Sequence, residues 1–142
     1  MRTVTEEPIR VRYGETDMMG HAYYGNYLLW LEQARGAWCR DRGFTYLSLE
    51  EHGYKLPVTE VWIKYRGEIK YDDLVIVRIS LEETRRAAVK FRYEIVQSAT
   101  GQIVTEGYTW HVLVSSAMKA VSIPPEVRRW LERDPDAYET VV

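Results

Sequence analysis

The chain has one cysteine, Cys39, among 142 residues. An intrachain disulfide is therefore excluded, and a reducing cytosol is the expected compartment. Histidine is scarce too: His21, His52 and His111 are scattered, and with one thiol they do not make a Cys/His metal cluster. No metal site is expected. Charge of one sign is lacking. The formal net charge is -2, which gives no basic field for nucleic acid. No apolar run approaches the roughly 20 residues of a membrane span, and the polar, acidic start from Met1 to Pro8 has no signal-peptide character. Repeats, linkers and low-complexity segments are also missing. These absences leave a cytoplasmic, non-membrane protein of one domain as the expectation.

What is present is a globular composition, 46% hydrophobic and 28% charged. Eleven tyrosines and five tryptophans imply broad apolar contact surface, in a core or an interface. Glu6 to Gly14 reads as a strand with Ile9, Val11 and Tyr13 on one face. Asn26 is a good N-cap for a helix from Tyr27 to Arg42, whose stripe is Tyr27, Leu31, Ala34 and Trp38, with Trp30 and Ala37 beside it. Gly43 stops that helix, and Leu47 to His52 forms a short second one. The period then changes to two. Four alternating sets follow: Thr59 to Tyr65, Val75 to Leu81, Val89 to Ile95, and Val104 with Tyr108, Trp110, Val112 and Val114. Short connections favour antiparallel neighbours. Pro124-Pro125 opens a last short helix through about Arg133. The implied fold is α+β, a five-stranded antiparallel sheet wrapped around one long central helix. One helix does not cover a sheet of that length, so an oligomer is expected.

The stretch from Tyr13 to Tyr27 carries the chemistry. A strand runs into a tight loop with Asp17 at its centre, Gly20 and Gly25 free the backbone, and a helix begins. A carboxylate facing a helix N-terminus combines a base or nucleophile with N–H groups able to polarise a carbonyl. The same aspartate also suits an Asx turn on its own backbone. Glu15, two residues earlier, reads as a solvated strand-end charge, or else as the second carboxylate of a pair. His21 either steers a water or bonds to backbone. His111, out of phase with Trp110, reads as structural, and Cys39 as packing. Glu32, next to Gln33 on the long helix, is a reserve acid. Arg85 and Arg86 form a basic pair that Lys64, Arg66, Lys90 and Arg92 extend if the strands align. It is either a phosphate contact or a solvated sheet edge.

The order of elements resembles the hotdog fold. The motif Asp17-x-x-Gly20-x-x-Tyr23-Tyr24-x-Asn26-Tyr27 resembles acyl-CoA thioesterases of the 4-hydroxybenzoyl-CoA thioesterase type, which include those associated with the Tol–Pal system; the likeness covers about residues 6–120. The resemblance implies that Asp17 attacks the thioester or activates a water. It implies that the N–H near Tyr24 binds the carbonyl oxygen, and that Gly20 permits the loop. The site would lie between two subunits of a homodimer, with dimers pairing into a homotetramer. CoA would enter only as part of the substrate, with no separate cofactor. Tyr23, Tyr24, Tyr27, Trp30 and Trp62 would suit an aromatic or medium acyl group. One branch of the family has histidine where this chain has Tyr24, while Met19-Gly20-His21 is similar to a pattern in other hotdog thioesterases, so the acyl group is not inherited from either. A hydratase would resemble relatives with a histidine on the central helix, and none stands between Asn26 and Arg42. A non-catalytic acyl-CoA-binding module is the other alternative.

Overall fold

The computed structural model describes residues 3–136. In chain order the elements are β1 (Val4–Arg10), a single 3-10 turn (Tyr13–Glu15), α1 (Tyr24–Asp41), α2 (Tyr46–Glu51), β2 (Tyr54–Lys55), β3 (Val58–Tyr65), β4 (Leu74–Thr84), β5 (Ala88–Gln97), β6 (Ile103–Val112), β7 (Val114–Ser115) and α3 (Pro125–Leu131). Five strands form an antiparallel sheet in the order β1-β4-β5-β6-β3, and β2 pairs with β7 beside it. Helix α1 lies across one face, as its apolar stripe requires. Tyr27, Leu31, Ala34 and Trp38 are all buried, together with Val75, Val77 and Ile79 of β4 and Phe91, Tyr93 and Ile95 of β5. Trp38 meets Phe91 edge-on at 5.0 Å between ring centres. Burial of each of the larger apolar side chains contributes about 1.5–3 kcal/mol.

The strand order has one consequence for function. β3 is an edge strand beside β6, yet the next strand in sequence, β4, is separated from it by both β6 and β5. The connection between them, residues 66–73, must therefore cross the end of the sheet. It passes the loop that leads into α1, and the two are joined: Ala22 N–H donates to the Ile69 carbonyl at 2.7 Å, and His21 bridges to Lys70.

Several local expectations are corrected. β1 ends at Arg10, and Tyr13 is exposed in the 3-10 turn instead of buried beside Ile9 and Val11. Helix α1 starts at Tyr24 with Tyr23 as N-cap, so Asn26 lies inside the first turn. Its side chain reaches back to the Glu15 carbonyl at 2.8 Å instead of capping the helix. In β6 the face toward the helix is Thr105, Gly107, Thr109 and His111, whereas Tyr108, Trp110 and Val112 are half-buried on the outer face. A register shift at Ile95/Val96 places Val104 and Thr105 both inside and reverses the phase. β3 has no buried face in the single chain: only Ile63 is half-covered, while Val58, Val61, Trp62 and Tyr65 are exposed.

The polar inner face of β6 is satisfied by a buried chain of hydrogen bonds. Arg35 on α1 donates to the hydroxyls of Tyr46 (3.2 Å) and Tyr93 (3.1 Å). Tyr93 meets Thr109 at 2.6 Å, Thr109 meets His111 Nε2 at 2.8 Å, and His111 Nδ1 meets the Leu56 carbonyl at 3.2 Å. Burial, with Arg35 nearby, pushes His111 down to about 4, although its bond to Leu56 acts the other way. His111 thus serves this buried network, on the face opposite to the one its phase against Trp110 implied.

Candidate active site

Residues 12–24 fold as a compact loop held at both ends. Gly20 takes a φ of +79°, a left-handed conformation costly for a side chain. Asp17 N–H donates to the His21 carbonyl at 2.8 Å and Gly20 N–H to the Asp17 carbonyl at 3.0 Å, and Thr16 bridges to Ala22. Asp17 is exposed. Its Oδ1 accepts from Met19 N–H at 2.9 Å and His21 N–H at 3.2 Å, so the expected Asx-type turn is present. Among the described residues Oδ2 accepts no hydrogen bond from the protein. The turn thus consumes one carboxylate oxygen and fixes the direction of the other.

Beside Asp17 lies an open cavity of about 190 Å³. The acid loop supplies Asp17 and His21, α1 supplies Tyr24 and Tyr27, and the far wall comes from Tyr65 and the crossing connection, including Glu68. The first helical N–H groups have no carbonyl four residues back. Tyr23 N–H is taken by the Glu15 carbonyl and Asn26 N–H by the Tyr23 carbonyl. Those of Tyr24 and Gly25 have no acceptor among the described residues. Tyr24 packs on Tyr65 at 4.8 Å and Tyr27 meets Tyr65 edge-on at 4.9 Å. Tyr27 is buried, and burial, with Tyr65 beside it, pushes its phenol up to about 12, so it stays neutral at physiological pH. A narrow slot behind Tyr27, lined by Leu31, Ile63 and Thr105, is too tight for water. His21 turns its ring toward Glu68 at 3.4 Å, and Glu68 meets Lys70 at 3.5 Å.

Glu15 departs furthest from expectation. It is buried, not solvated, at 6% exposure. Oε1 accepts from Arg12 N–H at 2.8 Å and Oε2 from the Trp30 indole at 2.8 Å, with the Arg12 guanidinium adding contacts at 3.3 and 3.4 Å. Desolvation opposes ionisation, but the Arg12 amide, the Trp30 indole and the Arg12 guanidinium outweigh it and hold the carboxyl below its ordinary value. Its two oxygens are engaged by Arg12 and Trp30, and not by Asp17 as the paired-carboxylate reading required.

Other candidates lie elsewhere. Arg85 and Arg86 sit at the far end of β4, whose eleven residues place them about 30 Å from the acid loop within one chain. Arg85 pairs with Glu83 at 3.2 Å and covers Trp110, and Arg86 donates to Ser122 at 2.8 Å. Lys90 pairs with Glu82 at 3.4 Å and Arg66 with Glu106 at 2.8 Å. Arg85, Lys90 and Arg66 are thus matched by acids, whereas Arg86 is held by a hydroxyl. Glu32 is exposed on α1 outside the cavity, Gln33 reaches Glu7 at 3.3 Å, and Trp62 stacks on Tyr108 on the outer face. Cys39 is buried. Tyr65, Gly67, Glu68 and Ile69 were not anticipated at the site, because a contact between residue 17 and residue 68 leaves no local signature. Among the described residues there is no cluster of three or more His, Cys, Asp or Glu able to hold a metal, and no helix is long and apolar enough to cross a membrane.

A profile of the thioesterase-like superfamily matches residues 11–131, which include the acid loop, the central helix and all the long strands after it. The chain belongs to that superfamily. Among relatives of this thioesterase-like chain, the acyl-CoA thioesterase YbgC of Haemophilus influenzae is 30% identical over 123 residues, 85% of this chain and 89% of that protein. A DHNA-CoA thioesterase structure from Staphylococcus aureus superposes with a TM-score of 0.84 at 32% identity, covering 91% of this chain and 87% of the other. A protein from Aquifex aeolicus superposes at 0.85 with 31% identity, over 90% and 99%. The fold is the hotdog fold, and superfamily membership supports a thioester hydrolase.

Proposed function

We propose that the chain is an acyl-CoA thioesterase, releasing a free carboxylic acid and CoA, with Asp17 at the reacting centre. The observation that carries this is one cavity lined both by Asp17, with one carboxylate oxygen unoccupied, and by Tyr24, whose N–H has no acceptor among the described residues. A thioester carbonyl oxygen directed at the start of α1 would gain hydrogen bonds as it becomes an oxyanion. Asp17 then acts in one of two ways. As a base it takes a proton from water while the water oxygen bonds to the carbonyl carbon. As a nucleophile it bonds to that carbon itself, and water later cleaves the anhydride. In both, the carbon–sulfur bond breaks and the CoA sulfur leaves with the electron pair. Tyr24 contributes its backbone N–H, Gly20 shapes the loop, and Asn26 holds the helix start. Tyr23 and Tyr27 serve the acyl side, and His21 is placed to steer the water.

The reading includes a homodimer that completes the site, built along β3. That strand carries apolar residues on an unpaired edge next to Tyr65 of the cavity, and a second copy would cover them. Two such dimers form the proposed homotetramer. Arg85 and Arg86, remote from Asp17 in their own chain, would meet CoA phosphates only at a neighbouring subunit's site. The free Cys39 suits a reducing compartment, the cytosol. The test is release of CoA from a panel running from acetyl to palmitoyl and including benzoyl, phenylacetyl and hydroxybenzoyl thioesters. Asp17→Asn should lose at least ~10²-fold in kcat with unchanged folding. Turnover close to wild type in that variant removes Asp17 from the chemistry. Binding without turnover in the wild type favours an acyl-CoA-binding module.

A further inference from the structure

Beyond Asp17 itself, we infer that Glu15 is the positioning residue that sets the acid loop against the start of the central helix; this rests on the reading of Asp17 and the Tyr24 N–H as one reacting centre. The two halves of that centre come from separate backbone segments, and residue 15 joins them. From the loop side, Arg12 N–H donates to Glu15 Oε1 at 2.8 Å. From the helix side, three groups converge on the same residue: Trp30 Nε1 on Oε2 at 2.8 Å, and Tyr23 N–H and Asn26 Nδ2 on its carbonyl, each at 2.8 Å. Asp17 is two residues further along the loop and Tyr24 is next to Tyr23, so the span between carboxylate and oxyanion donors is closed through Glu15.

The chemistry of the site requires this particular acid. Both carboxylate oxygens face N–H donors, so a carboxylate satisfies all of them and an amide does not. Glutamine would turn its NH2 against either the Arg12 amide or the Trp30 indole, leaving a buried donor unmatched. Glu15 is buried and its oxygens are taken, so it does not reach the substrate. Its action is geometric, passed on through residues 16–24. A displacement of about 1 Å at a reacting centre costs on the order of 10²-fold in rate.

The experiment compares wild type, Glu15→Gln and Trp30→Phe in two measurements. The first is amide hydrogen exchange without substrate. The second is the pH profile of kcat and KM for whichever acyl-CoA the wild type turns over best. In Glu15→Gln, exchange at residues 16–24 should quicken by about tenfold or more while β4 and β5 stay protected. kcat should fall roughly 10- to 100-fold, KM should stay within about threefold, and the acid limb of the profile should not move. Trp30→Phe removes one donor and keeps most of the ring volume, so it should shift both readouts in the same direction by less, and it decides the matter if Glu15→Gln does not fold. Unchanged loop exchange in both variants overturns the inference. So does a kcat within about twofold of wild type, or loss of protection throughout the sheet. An acid limb that moves by about one pH unit makes Glu15 a proton-transfer group and overturns it as well. If the wild type turns over no thioester, the functional reading fails by itself, and the exchange data still decide whether Glu15 holds the loop.

Discussion

Lowering the pH from 7 to 4 should charge His111 and pull apart the chain of hydrogen bonds that ties α1 and α2 to the sheet. The ring is 1% exposed, burial and the Arg35 guanidinium hold it down to about 4, and its ordinary value is 6.5. The folded value lies below the unfolded one, so between these two pH values the unfolded chain binds a proton that the folded chain refuses. The stability that neutral His111 contributes is complete above pH 6.5 and is lost as pH falls toward 4. That gap corresponds to about 2 kcal/mol lost by pH 5 and about 3 kcal/mol by pH 4. Urea unfolding at fixed protein concentration, repeated at intervals from pH 7.5 to 4.5, measures it. The same series on His111→Gln is the reference, because that variant keeps every other ionisable group. The wild type should lose stability more steeply than the variant between pH 6.5 and 5, by about 1 kcal/mol per pH unit on average. Parallel curves for the two proteins would refute the reasoning, because His111 would then titrate alike folded and unfolded.

Gly107→Ala should be strongly destabilising. The added Cβ would stand 2.6 Å from the Trp62 carbonyl oxygen, which is rigid backbone of the paired edge strand. A loss of about 1–3 kcal/mol, read as a fall in Tm, is expected, and an unchanged Tm would show that β3 shifts freely. Cys39 is buried and its thiol is pushed up to about 12 by burial, so a thiol-reactive dye should leave it untouched until the protein unfolds. Fast labelling of the native protein would contradict the buried placement. Val61→Lys puts a charge on the exposed edge of β3 and should lower the mass seen by light scattering below that of the wild type, with loss of turnover. A mass equal to that of the wild type would move the interface elsewhere.

Much of this architecture was legible where sequence and packing obey the same period. The alternation in β4 and β5 marks strands whose inner residues are apolar, and the helical stripe from Tyr27 to Trp38 is buried as its spacing requires. β6 misled because its inward residues are threonine, glycine and histidine while its outward ones are aromatic. Long-range hydrogen bonds to Arg35 and Tyr93 reverse the rule that polar residues face water. The helix start was set too late because Asn26 resembles a cap. In fact its amide serves a carbonyl eleven residues earlier, a partner that no local pattern reveals. Asp17 stood out because its loop is built from neighbours in sequence. Glu15 did not, because its burial depends on Trp30, and the cavity's far wall did not, because residues 65–69 arrive only through the crossing connection.

That last division has a consequence for how such a catalyst diversifies. The hydrogen bonds that shape the Asp17 loop and the start of α1 fall between residues 12 and 30, apart from those to Ile69 and Lys70, while the opposite wall is a separate segment crossing the end of the sheet and meets Tyr24 and His21 through Tyr65 and Glu68. Under the proposed function, the reacting groups and most of the opposite wall thus come from separate stretches of the chain. Under the proposed function, exchanging residues 65–68 is expected to change the acyl group accepted while the bonds of Asp17 within its own loop stay in place, which makes the crossing segment the natural place to redesign what the protein accepts.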